Sequence, residues 1–130
     1  MATTTATLTL SSSDLTGDAL ALSTTATLTK AGTLTGLDQT TGVGRKTYTS
    51  TSIATLVEKA DYADDKAHKV YIRNTSTVAT ENIAITVEAQ LLGRLYAGDW
   101  ALLPFNGDQD IKVTPSVATA LTVEYLVIFE

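Results

Sequence analysis

Threonine makes up about a fifth of this 130-residue chain, and in its most regular stretches it recurs at every second position. A side chain branched at Cβ is stiff at χ1 and fits an extended backbone, where its methyl packs on neighbours and its hydroxyl meets water or an adjacent strand. Such a chain is disposed to strands and disfavours helix almost throughout. Ala6, Leu8 and Leu10 alternate with Thr5, Thr7 and Thr9, the period of two expected of a half-buried strand. A second run extends from Leu20 through Leu22, Ala26 and Leu28, with Ser23-Thr24-Thr25 interrupting it. Ala6-Thr-Leu-Thr-Leu10 returns as Ala26-Thr-Leu-Thr-Lys30, and two such copies do not make a repeat array. Ser11 to Gly17 reads as a turn, and the glycines at 32, 36, 42 and 44 suit loops or an extended arm.

Charge divides the chain in two. Residues 1–44 carry only Asp14, Asp18, Lys30 and Asp38, against nineteen charged residues in the remainder. The expected organisation is therefore a Thr-rich N-terminal arm over 1–44 and a body over 45–130, together one structural unit. In the body, Thr47 to Val57 reads as a strand, or as a short helical turn near Ile53 to Lys59, and Ala60 to Lys66 as a polar turn. His68 to Arg73 is a strand, and Ile83, Ile85, Val87 and Ala89 mark one with a single buried face. Tyr96-Ala-Gly-Asp99 turns into a strand over Trp100 to Phe105, and Asn106-Gly-Asp108 is a hairpin-type signal. Ile111 to Thr114 and Leu121 to Phe129 complete the set. About eight strands with turns every eight to twelve residues predict an all-β fold, a β-sandwich of jelly-roll-like character.

The composition also narrows function. A formal charge of −5, with nine basic residues scattered singly or in pairs, argues against a dedicated nucleic-acid binder. No run approaches the roughly 20 apolar residues a membrane-spanning helix needs, and the opening residues lack the basic and apolar regions of a secretory leader. With no cysteine, thiolate chemistry and disulfides are excluded. His68 is the only histidine and reads as a strand-edge surface residue, since a general base needs a nucleophile and an orienting group nearby. Asp61, Asp64 and Asp65, and likewise Asp99, Asp108 and Asp110, lack the spacing of a calcium loop and read as solvated turns. Gly42 and Gly44 precede Arg45-Lys46 without the phosphate-loop fingerprint. Asn74-Thr-Ser76 matches a glycan acceptor only by coincidence. No enzyme activity, cofactor or metal is expected.

Several segments resemble small structural proteins from the virions of tailed phages, especially marine and cyanobacterial ones. They are Val70-Tyr-Ile-Arg-Asn74, Leu95-Tyr-Ala-Gly-Asp99, Leu103-Pro-Phe105, Ile111-Lys-Val113 and Val123-Glu-Tyr125, with the Thr-rich opening Met1 to Leu10 and Thr41-Gly-Val-Gly-Arg-Lys46. The resemblance implies a capsid decoration, or cement, protein on the outside of the capsid. Its partners would be the major capsid protein and further copies of itself, three matching the threefold positions of an icosahedral shell. The uncharged N-terminal strands would supply free edges for pairing with a neighbouring chain. The residues expected at protein interfaces are Leu8, Leu10, Leu28, Arg45, Lys46, Tyr96 and Trp100. Two alternatives stand beside this reading: a tail, connector or fibre-base component, and a glycan- or cell-surface-binding module using Trp100 and Tyr96.

Overall fold

The alternation over residues 82–87 becomes strand β7, Asn82–Val87, with Ile83 and Ile85 buried on one face and Asn82, Ala84 and Thr86 on the other. The same parity governs β6, His68–Asn74, β10, Ile111–Pro115, and β11, Leu121–Phe129, whose buried residues fall at every second position. These belong to a computed structural model that describes residues 3–15, 17 and 19–130, and its regular structure is strand apart from one 3-10 turn at Lys59–Asp61. The remaining strands are β1, Thr5–Ser12, β2, Leu20–Thr27, β3, Gln39–Thr40, β4, Gly44–Tyr48, β5, Ala54–Val57, β8, Gln90–Tyr96, and β9, Trp100–Phe105.

Strands β4 to β11 form two antiparallel sheets, one in the order β4-β11-β6-β9 and the other β5-β10-β7-β8. Counted from β4, these are 1-8-3-6 facing 2-7-4-5, the connectivity of a jelly roll. The core lies between them: Leu56 and Val57, Val70 and Ile72, Ile83 and Ile85, Ile111 and Val113, and Leu121, Val123 and Val127 come from both sheets. The short β3 also pairs with β11, end to end with β4. In the gap between them the Thr41 hydroxyl accepts the Val127 N–H and the Thr41 N–H donates to the Val127 carbonyl, both at 3.0 Å, so the ladder continues through side chain and backbone. The composition boundary at residue 44 thus coincides with the start of β4, while β3 before it is already tied to the body. Among the described residues, only the β1–β2 hairpin forms a sheet of its own.

Thr47 to Val57 is not one strand but is divided between β4 and β5, which lie in different sheets, and four further expectations change. Ser11 and Ser12 belong to β1, so the first turn begins later than expected, and Thr16 within it lies outside the described residues. Ala89 does not extend β7: the chain reverses at Glu88, which has φ 56°, and returns as β8, a strand the sequence reading missed. Asn106-Gly-Asp108 is a crossover between sheets rather than a hairpin, because β9 pairs with β6 whereas β10 pairs with β7 and β5. Gly107 is required there on two grounds: its φ is +90°, and a Cβ would stand 2.3 Å from the Ala63 carbonyl oxygen.

The fourth is His68, which is fully buried rather than at the surface. Its Nε2 lies 2.9 Å from the Ala63 carbonyl and its Nδ1 3.3 Å from the Glu130 N–H, so the tautomer protonated on Nε2 satisfies both. Tyr62, Phe105 and Phe129 pack around the ring with centroids 5.6 to 6.3 Å away. His68 is a structural fastener at one end of the sandwich. Asn74 performs the same task at the other end of β6, fully buried, and its burial removes it as a glycan acceptor.

Candidate interaction surface

Strands β1 and β2 pair without a break, Thr5 opposite Thr27 and Ser12 opposite Leu20. Side chains two residues apart share a face. Ala6, Leu8 and Leu10 therefore stand with Leu20, Leu22 and Ala26, while Thr5, Thr7, Thr9 and Ser11 stand with Ser23, Thr25 and Thr27. The hydroxyl face is cross-linked where Thr7 and Thr25 approach to 2.9 Å. The apolar face is largely uncovered, with Leu8 37 %, Leu10 45 % and Leu22 45 % exposed.

At its base the hairpin roofs an apolar groove of about 820 Å³ whose floor is the outer face of β6 and β9. Ala6, Leu8, Thr24 and Ala26 line the roof, and Tyr71, Arg73, Trp100 and Leu102 line the floor. Two apolar surfaces thus face each other across a gap that the chain itself leaves open. Strand register explains the floor: Trp100 pairs with Arg73 and Leu102 with Tyr71, all pointing away from the core. A folded monomer of 13.7 kDa exposes on average about 6,600 Å², and this one exposes 7688 Å².

Of the residues expected at an interface, Leu8, Leu10 and Trp100 lie on or beside this groove, and Trp100 is 53 % exposed. Leu28 does not join them. It is buried where the chain leaves the hairpin, its carbonyl accepting the Leu37 N–H and its own N–H donating to the Thr4 carbonyl, both at 2.9 Å.

Arg45 and Lys46 do not act as a pair, since neighbours in a strand point to opposite faces. Arg45 lies on the outer face, donating from Nε and Nη2 to Glu124 Oε2 at 3.2 and 2.9 Å, while the Tyr71 hydroxyl donates to Oε1 at 3.2 Å. The Arg45 hydrogen bonds, with help from Tyr71, hold the Glu124 carboxyl below its usual range against a smaller opposing effect of burial. Lys46 turns toward the gap between the sheets, donating to the Leu56 carbonyl at 3.3 Å with its ammonium 5.5 Å above the Tyr125 ring.

Tyr96 is 49 % exposed but faces away from Trp100. Leu95 packs on the core, so Tyr96 points out of the β5-β10-β7-β8 sheet, whereas Trp100 points out of the other. The two rings therefore offer no shared stacking platform.

No family model, curated protein or solved structure matches this chain. Of the two acidic groups, Asp99, Asp108 and Asp110 are engaged within the chain: Asp110 accepts the Lys59 N–H at 2.9 Å, Asp99 the Tyr96 N–H at 2.9 Å, and Asp108 the Asn106 amide at 2.8 Å. Among the described residues no three His, Asp or Glu side chains converge on a metal-sized site, and no helix is long and apolar enough to cross a membrane. The sequence reading missed Leu22, Tyr71, Arg73 and Leu102. Leu22 could have been found by pairing the two Thr-rich runs, and Leu102 by its parity with Trp100.

Proposed function

We propose that this chain is a structural protein of a tailed-phage virion that binds the outside of the capsid as a decoration, or cement, protein. Its partners are the major capsid protein and further copies of itself. The observation that carries the reading is the two-faced β1–β2 hairpin, whose apolar side is left uncovered above an apolar groove. A free hairpin of this kind is marginally stable in water, and large uncovered apolar patches on soluble chains mark surfaces that another molecule covers. The jelly-roll body supplies a rigid platform, fastened at both ends of β6 by His68 and Asn74. Repeated attachment of an oligomer to a shell then raises avidity by roughly 10² to 10⁴ without new chemistry.

Mixing the purified chain with undecorated shells and measuring the saturating stoichiometry tests the proposal. Decoration predicts hundreds of copies per shell in a fixed ratio to the capsid subunits. Saturation at about a dozen copies would place the chain at a connector ring, and an absence of binding would remove the capsid reading. A glycan-binding role draws no support from the arrangement, because Tyr96 and Trp100 stand on different sheets.

A further inference from the structure

We infer that the homo-oligomer is built by hairpin exchange: the outer half of the β1–β2 hairpin of one copy seats in the groove between hairpin and body of the next. This deepens the reading above, from which it takes the expectation of self-association. The occupant is a second copy of this chain, on three observations.

The first is chemical match. Leu10, Leu22 and Leu15 form the exposed apolar part of the hairpin beyond the groove, and Leu8, Trp100 and Leu102 are the exposed apolar part within it. The second is charge. Arg73 is the one charged side chain lining the groove, and Asp14 is the one charged side chain among the described residues of the hairpin. An Asp14 entering beside Arg73 would be paired there. The third is area. The chain exposes 7688 Å², about 1,100 Å² more than a compact monomer of its mass, while a stable interface takes roughly 800 Å² from each partner.

Hairpin and groove are different surfaces, so the contact is heterologous, and such contacts close into rings when the rotation permits. A head-to-tail ring leaves no hairpin unseated. An interface made by two hairpins meeting face to face would instead leave every groove empty.

Light scattering of the full chain, with no capsid present, separates these cases. The expected particle is three times the 13.7 kDa of one chain. A hairpin variant, Leu10→Asp with Leu22→Asp, and a groove variant, Trp100→Ser with Leu102→Ser, should each be monomeric. All four positions are exposed in the single chain, so circular dichroism should match the parent and the melting temperature should fall only by the concentration-dependent stabilisation that assembly gives the parent, and Trp100→Ser alone provides a milder second groove variant. Mixing the two variants should restore one joint per pair and give a particle of twice the chain mass. A monomeric parent, association that survives the groove variants, or a mixture that stays monomeric would each overturn the inference. None of those results bears on shell binding, which the stoichiometry measurement judges separately.

Discussion

Replacing Asn74 by Ala should cost far more than the loss of one polar side chain at a strand end. Its Nδ2 donates to the Leu95 carbonyl at 3.0 Å and the Glu81 carbonyl at 3.3 Å, and its Oδ1 accepts the Ser76 N–H at 3.0 Å. Asn74 also meets the turn before Trp100 through its backbone, donating to the Asp99 carbonyl and accepting the Gly98 N–H, both at 3.0 Å. One side chain thus ties β6, in the sheet that carries the groove, to the opposite sheet. A buried polar group left without a partner costs about 1–3 kcal/mol. Glu81 and Ser76 are only partly buried, so water can recover some of that cost, and the expected loss is about 3–5 kcal/mol. In a domain of this length that is a fall in Tm of about 10–20 °C.

Asn74→Asp makes the test sharper. It preserves shape and the bond from Ser76 but turns an acceptor toward two carbonyl oxygens. Burial then disfavours the charged form and raises the folded pKa above the unfolded value of about 3.9. A raised folded pKa means that the variant's deficit is small below about pH 3.9 and grows as pH rises through the folded value. Urea unfolding of parent and variant, compared at each pH from acid to neutral, measures this difference. An Ala variant within about 3 °C of the parent, or an Asp deficit independent of pH, would refute the reasoning.

Other outcomes follow from the same geometry. Gly107→Ala drives a Cβ against the Ala63 carbonyl at φ +90° and should cost at least about 2 kcal/mol; an unchanged urea midpoint would contradict it. His68→Leu keeps an apolar volume but strands the Ala63 carbonyl and the Glu130 N–H, for an expected loss of about 2–4 kcal/mol by the same denaturation assay. The Glu130 carboxylate accepts the Ala31 and Ala67 N–H groups at 3.1 Å each, and its pKa is lowered below 4.5 chiefly by the Ala31 bond, with burial opposing and Ala67 assisting. Its contribution is therefore present above pH 4.5 and lost as pH falls through the lowered folded value. Glu130→Gln should flatten the parent's acid dependence in that window, and a variant with the parent's full dependence would be inconsistent with the assignment.

Much of the sandwich was legible because its strands are buried on one face, which writes a period of two into β6, β7, β10 and β11. Parity carried further than it was read. His68, Val70, Ile72 and Asn74 occupy alternate positions, so the strand that buries Val70 and Ile72 must bury the histidine and the asparagine too. Strand β8 was hidden because Leu91 and Leu92 are adjacent and both exposed on an edge strand, next to a register shift between Ile85 and Thr86. A bulge of that kind breaks alternation. The crossover at Asn106-Gly-Asp108 was mistaken for a hairpin because the same positive-φ residues serve both, and only sheet membership tells them apart. At the candidate surface the leucines of β1 were evident from their alternation with threonine, but Arg73 and Tyr71 are 59 or more positions away from β1 in the chain and meet it only through the fold.

The central claim is that the apolar face of the β1–β2 hairpin is completed by another protein chain. Hydrogen–deuterium exchange over residues 5–12 and 20–27 tests it directly, comparing the chain diluted to monomer with the same chain bound to shells. The expected result is rapid exchange in the monomer, slowed on the order of 100-fold once bound. A hairpin fully protected in the monomer, or one that exchanges equally fast on the shell, would contradict the claim.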